Sequence, residues 1–242
     1  MSRAACLLLL VLVLPAPPAL ADPTIAVDIG HSSASPGAVS ARGRGEFYFN
    51  RDLAVRIGAV LDEKRFEVQL INLDGAQTGL ESRAAEARGA DFLLSVHHDS
   101  VQPRYLTTWT FTAEPRHYSD RFAGFSLFVS RRNPDPARSL ACATAIGSAL
   151  RQGGFTPSLH HAEPIEGENR ALADAENGVY YYDDLVVLRA ATQPAMLLEA
   201  GIIVNRDEEA ALSRVDVQQS IARAVTQGLA QCLRTGERNQ QD

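Results

Sequence analysis

Residues Asp91–Ser100, DFLLSVHHDS, decide how the chain is read. Phe92 to Val96 is short and almost wholly apolar, the mark of a strand buried in a sheet with helices over both faces. The surrounding segments supply those helices. Thr24–Gly30 (TIAVDIG) is a second β-branched, apolar strand, and Asn50–Arg65 follows with Leu53, Ile57, Val60 and Leu61 at helical spacing. Phe66–Leu73 reads as a strand ended by Asp74-Gly75, and Thr78 with Glu81 has capping-box spacing for a helix running to about Gly89. Further on, Gly124–Ser130 reads as a strand, and a helix from about Ala137 stops at Gly153-Gly154. Val186–Leu188 and Ala195–Gly201 read as strands. The last helix, about Val215 to Leu233, has Val217, Ile221, Val225, Leu229 and Cys232 on one face. This alternation predicts a single α/β domain, a mostly parallel twisted sheet of about six strands flanked by helices.

The first 21 residues read as an address. Arg3 supplies a positive charge, Leu7 to Leu14 an apolar run, and Ala19-Leu20-Ala21 a small-x-small cleavage pattern. A membrane span needs roughly 20 apolar residues, so the run is too short to be one. The expectation is an exported, monomeric protein of the periplasm whose folded domain covers residues 22–242. With 29 acids and 23 bases the net charge is −6, and removal of Arg3 takes it to −7. That balance excludes a general attraction to nucleic acid or to anionic polymers. Cys142 and Cys232 are the only cysteines after the leader; an oxidising compartment permits a disulfide, but buried thiols on helix faces are the expectation. Phe155 to Asp184 has no clear period and many acids, and is read as a loop-rich insertion near the active site.

The chemistry gathers where strands end. Ligands of parallel sheets bind at the carboxyl ends of the strands, and His31, His97 and Glu199 all lie at or near such ends, while Glu46 opens the first long helix. Two imidazoles and one carboxylate leave a tetrahedral metal one open position. A second, unligated carboxylate can then carry the proton. His31, Glu46 and His97 suit the first role and Glu199 the second, although a single histidine is more often simply solvated. Adjacent residues of a strand face opposite ways, so only one of His97 and His98 can face the metal. His160-His161 could bind a metal but reads as a surface pair. Tyr180, Tyr181 and Tyr182 read either as a glycan-groove wall or as an aromatic cluster. Arg42 and Arg44 are either carboxylate-binding residues or a solvated loop.

VDIGHSSASPGAVSARGRGE, Val27–Glu46, resembles the opening motif of the zinc-dependent N-acetylmuramoyl-L-alanine amidases of the cell-division type. Asp28, Gly30, His31, Pro36-Gly37-Ala38, Glu46 and Asn50 fall on that pattern. FLLSVHHDS resembles the family's Ser-x-His strand end, with His97 on the second imidazole ligand and His98 as the fallback. VLRAATQPAMLLEAGIIVN, Val187–Asn205, resembles the last motif, with Glu199 on the catalytic glutamate. The resemblance implies one zinc per chain, held by His31, Glu46 and His97, and hydrolysis of the amide joining N-acetylmuramic acid to L-alanine in peptidoglycan or its fragments. It also implies an activator protein as a possible partner, and a carboxylate of the 155–184 insertion as a possible plug, with Glu163, Glu166, Glu168 and Glu176 as candidates. Arg42, Arg44 and Arg189 are the candidate substrate-binding residues. The chain departs from the pattern at Ile29, at Ser32-Ser33, at His98, and at Asn72-Leu73-Asp74, where an arginine is missing. A stem-peptide peptidase and an inactive wall-binding relative are the alternative readings.

Overall fold

The computed structural model of the protein describes residues 22–238, and the expected export signal lies outside the described residues. The chain runs β1 (Thr24–Ile29), α1 (Glu46–Glu63), β2 (Glu67–Ile71), α2 (Leu80–Glu86) and β3 (Phe92–Asp99). A hairpin of β4 (Thr107–Phe111) and β5 (Glu114–Tyr118) follows, then β6 (Ser126–Val129) and α3 (Pro136–Gln152). The rest is β7 (Leu172–Asp174), β8 (Val179–Tyr181), α4 (Val186–Ala190), β9 (Ala195–Ile202), α5 (Arg206–Leu212) and α6 (Val215–Arg238).

Seven strands, rather than about six, form the main sheet in the order β2-β1-β3-β9-β6-β8-β7. The pairs β1–β2, β1–β3 and β3–β9 are parallel, whereas β6 is antiparallel to β9. Alternation along the strands sorts the core into two layers. Ile25, Val27, Ile29, Phe92, Leu94, Val96, Met196 and Leu198 pack on one face with Leu53, Ile57 and Leu61 of α1, Ile146 of α3 and Ile221 and Val225 of α6. Ala26, Leu93 and Leu197 point the other way, to Ala87 beyond α2 and to Val187 and Leu188 of α4. From β1 the chain passes through α1 to β2 on one side, then through α2 back across to β3. The loops that follow β1 and β3 therefore diverge, and the crevice between them is where an open parallel sheet binds its ligand.

Three expectations are corrected. Val186–Leu188 is the start of helix α4, not a strand: a short β-branched run has a weak preference, and here burial of Val187 and Leu188 over the sheet overrides it. Helix α2 starts at Leu80 behind Gly79, with no side-chain cap from Thr78. Cys142 and Cys232 form a disulfide between α3 and α6, with Cα atoms 5.0 Å apart. The helices come this close because Gly228 of α6 lies against the backbone of Ile146, where a Cβ would collide. Within the 155–184 segment, β8 joins the sheet beside β6 and β7 pairs with β8.

Candidate metal centre

His31, Glu46 and His97 meet at this crevice, and one donor atom from each lies within 4.8 Å of the others. Glu46 is the first residue of α1, behind Gly45, so its negative charge sits at the positive end of the helix dipole. Glu46 is 4% exposed, and both oxygens of its carboxylate are engaged. Oε2 lies 2.9 Å from His31 Nε2 and accepts from the Ala38 amide. Oε1 lies 3.0 Å from His97 Nδ1 and accepts from Asn50 Nδ2. Burial pushes the Glu46 carboxyl up, but the hydrogen bonds and charges of His31 and His97 outweigh it and hold it well below the usual range.

The approach is close because two glycines permit it. A Cβ at Gly30 would strike the His97 ring, and one at Gly37, whose φ is +77°, would strike Glu46 Oε2 and the His31 ring. His31 itself adopts φ +67°, a left-handed conformation that an ordinary residue keeps only when its surroundings enforce it. Asn72 enforces it here, its Nδ2 donating to the carbonyls of Ile29 (2.8 Å) and His31 (2.7 Å). Beneath them, Arg83 and Asp28 pair at 3.5 Å with both side chains almost fully buried. Arg83 also donates to the Ile29 carbonyl, and Ser95 to Asp28. The sequence reading missed Arg83, which stands among Glu81, Ser82 and Glu86 on α2 with no local signal of its burial.

Strand alternation separates the two adjacent histidines. His97 shares the parity of Leu93 and faces the crevice, while His98 shares that of Leu94 and points under α1. There His98 Nδ1 lies 2.8 Å from Asn50 Oδ1. Because the Asn50 amide nitrogen donates to Glu46 and Gly30, its oxygen accepts and His98 donates. Burial pushes the His98 imidazole down to about 3. Directly across from His97 in the β3–β9 register stands Glu199. Burial, then the negative charges of Asp99 and Glu46, push the Glu199 carboxyl well above its ordinary value, and its Oε2 has no hydrogen-bond partner. A groove of about 340 Å³ runs from His31 and His97 past Ser32, Gln77 and Thr78 to Leu185, Val186 and Val187.

The candidate arginines are placed otherwise. Arg42 Nη1 donates to Glu209 and to the Arg206 carbonyl, each at 2.7 Å, and Arg44 pairs with Asp52 at 2.6 Å over the Phe49 ring. Both guanidinium groups are thus held in ion pairs within the fold, while Arg189 is exposed on α4. Three of the four plug candidates have partners within the fold: Glu163 faces Arg121, Glu176 faces Arg151, and Glu168 binds His161 and Gln102. Glu166 is exposed. Tyr180 is buried, its hydroxyl donating to the Ser158 carbonyl, so that part of the tyrosine run belongs to the core. His160 and His161 are not a surface pair. A short 3-10 turn at His160–Ala162 buries both against Asp99, under the rings of Phe122 and Phe128.

Comparison with known proteins identifies the family. The profile of the N-acetylmuramoyl-L-alanine amidase family matches residues 25–231. The chain is 25% identical over 228 residues to "Probable N-acetylmuramoyl-L-alanine amidase AmiB" of Haemophilus influenzae, covering 85% of this chain and 51% of that protein. It is 23% identical over 221 residues to the amidase AmiA of Escherichia coli K12, covering 85% and 74%. The chain thus spans about half the length of the AmiB relative. In fold it is similar to the amidase Ami1 of Mycobacterium smegmatis, with a TM-score of 0.70 at 20% identity over 89% of this chain and 98% of that one. The CwlD amidase of Clostridioides difficile, solved in complex with the GerS lipoprotein, superposes with a TM-score of 0.65 at 18% identity over 88% of this chain and all (100%) of that one. With the profile running from β1 into α6, this chain belongs to the N-acetylmuramoyl-L-alanine amidase family.

Proposed function

We propose that the chain hydrolyses the amide between the lactyl group of N-acetylmuramic acid and L-alanine in peptidoglycan, with zinc held by His31, Glu46 and His97. The observation that carries the reading is the convergence of His31 Nε2 and His97 Nδ1 on the two oxygens of one buried carboxylate, with Glu199 opposite His97 on the next strand. Two imidazoles and a carboxylate, crowded together by glycines and walled on one side by an accessible groove, fit a catalytic zinc ion. When bound, zinc supplies Lewis acidity toward the scissile carbonyl and toward water. The remaining work falls to side chains of the chain. Glu199, with an unpartnered oxygen in a dry setting, accepts the proton of the attacking water and delivers it to the departing amine. Asn50, Asn72 and the Arg83–Asp28 pair hold the ligand loops in place, as outer partners do in metal sites. Leu185, Val186 and Val187 line an apolar wall for the stem peptide, and Arg189, exposed on the same helix, is the candidate arginine assigned to meet a carboxylate.

Export is part of the proposal. The disulfide suits an oxidising compartment outside the cytoplasm, and no helix among the described residues is long and apolar enough to cross a membrane. An accessory protein is a natural partner, since one amidase of this fold is recorded with the lipoprotein GerS.

The test is digestion of purified peptidoglycan with product analysis by mass spectrometry. Intact stem peptides beginning with L-alanine should appear, and should vanish with chelator. Glu199→Gln should keep its zinc and fold while losing on the order of a hundredfold or more in rate. Shortened peptides would instead mean a stem peptidase, and unchanged turnover in Glu199→Gln would remove that residue from the mechanism.

A further inference from the structure

β3 carries a second convergence of donors, two residues beyond His97. Asp99 Oδ2 lies 2.8 Å from His161 Nε2 and 3.3 Å from His160 Nε2, and the three donor atoms lie within 4.8 Å of one another. A shift of register between His97 and Asp99 accompanies the change of neighbours: His97 pairs with Glu199, but Asp99 pairs with Ile202. None of the residues that hold this cluster belongs to the His31–Glu46–His97 set.

Each imidazole is oriented from behind. His161 Nδ1 is 2.8 Å from Glu168 Oε2, and the other oxygen of Glu168 accepts from Gln102 at 2.7 Å. His160 Nδ1 is 2.9 Å from Ser158 Oγ. A carboxylate or hydroxyl on the far nitrogen fixes the tautomer and aims the near nitrogen, which is how metal-binding histidines are commonly held. The near nitrogen of His160 has no hydrogen-bond partner, although its side chain is only 2% exposed. A buried imidazole nitrogen left in that condition destabilises the fold unless a ligand engages it. It is aimed at a carboxylate that already faces the Nε2 of a second imidazole. Phe122 stacks on His160 at 5.2 Å, and Phe128 meets His161 edge-on at 5.0 Å, so apolar rings shield the cluster.

We propose that Asp99, His160 and His161 form a second metal site, taking a divalent late first-row ion. Two imidazoles and one carboxylate prefer zinc and its neighbours over magnesium or calcium, which favour all-oxygen shells. The site ties the 155–184 segment to the end of a central strand, because Asp99 comes from β3 and both histidines come from that segment. Its effect is to fasten that segment beside the crevice. The alternative use of the same residues is a closed ion-pair cluster in which His161 stays protonated between Asp99 and Glu168. Burial pulls the His161 imidazole down, but hydrogen bonds to Asp99 and Glu168 outweigh it and push it up to about 9.

Metal content decides between them. The full chain, stripped with chelator, reloaded with Zn²⁺ and desalted, should hold two ions by mass spectrometry, and His160→Ala should hold one. Asp99→Asn, a smaller change, should also fall from two to one. In the His31→Ala/His97→Ala background only the second site is left, and Co²⁺ should give a visible d–d absorption that His160→Ala abolishes. Hydrogen exchange adds a readout independent of metal counting: chelator should speed exchange across residues 158–168 in the parent chain and not in His160→Ala. One ion per chain that His31→Ala removes, with no Co²⁺ absorption in the double-variant background, would overturn the second site and leave the first intact. Two ions that both survive His160→Ala and Asp99→Asn would overturn it as well.

Discussion

Breaking the Cys142–Cys232 disulfide offers the most quantitative test of the fold. The bond links residues 90 apart in sequence. In the chain-entropy account, closing a loop of that length removes enough freedom from the unfolded chain to stabilise the native state by about 4–5 kcal/mol. Both cysteines lie within the core shared by α3 and α6, so Cys142→Ala/Cys232→Ala also empties the volume of two sulfur atoms. For a chain of this size each kcal/mol moves the melting temperature by about 2–4 °C, which sets the expected drop at about 8–20 °C. Thermal melts followed by circular dichroism, with urea titrations in parallel, measure it. Reduction of the parent protein should produce a drop of similar size, and an unreduced tryptic digest should contain the linked peptide pair. If the double variant and the reduced parent both melt within about 2 °C of the oxidised protein, the loop-closure argument fails for this fold. If the digest yields two free thiol peptides, the bond itself is refuted.

Arg83→Ala leaves the buried Asp28 carboxylate without its cation and should cost about 3–5 kcal/mol in urea unfolding; combining it with Asp28→Asn should recover part of the loss. His98→Ala removes a donor to Asn50 rather than a ligand, so metal analysis should find the His31–Glu46–His97 site still loaded, with stability down by about 1–3 kcal/mol. Acid should act through Asp174. Slight burial pushes that carboxyl up, but hydrogen bonds from Asn177 and Thr144 outweigh it and hold its folded pKa below the ordinary 3.8. Its contribution is therefore present above that value and is lost as pH falls through the lower, folded one. In melts at stepped pH, the gap between the parent and Asp174→Asn should be open at pH 6 and should close below about pH 4.

The α/β layering could be read from the sequence because buried strands and amphipathic helices have different periods, and those periods survive without tertiary information. The four residues at the candidate metal centre could be found for a related reason: each occupies a strand end or a helix start, and parallel strands bring such points to one edge. The pleat showed only that His97 and His98 face opposite ways; the family resemblance chose His97, and His98 packs against Asn50. What was not legible depends on distances that no local pattern encodes. The disulfide arises because α3 and α6 cross at Gly228 and Ile146, ninety residues of chain notwithstanding. The burial of His160-His161 follows from Asp99 and Glu168 closing around them, in a segment with no periodicity. Helix α4 was misread because three β-branched or apolar residues carry too little local preference to resist their packing over the sheet. Arg42 and Arg44 were available for ligands in the sequence, and only the fold shows Glu209 and Asp52 occupying them.

The position of β9 has a consequence for the order of events in folding. Among the described residues it is the last strand, yet it lies in the middle of the sheet, pairing Leu93 with Ala195 on one side and Leu127 with Leu198 on the other. Until it is made, β2, β1 and β3 end in an open apolar edge at β3, while β6, β8 and β7 form a separate ribbon with no strand to join. The two halves unite only when β9 inserts between them, a long-range closure of the kind that slows folding and leaves unpaired edges open to misassociation in the meantime. Glu199 arrives on that same strand. The chain therefore cannot assemble the full set of His31, Glu46, His97 and Glu199 in any partly made or partly folded state, and completing the sheet and completing the site are one event.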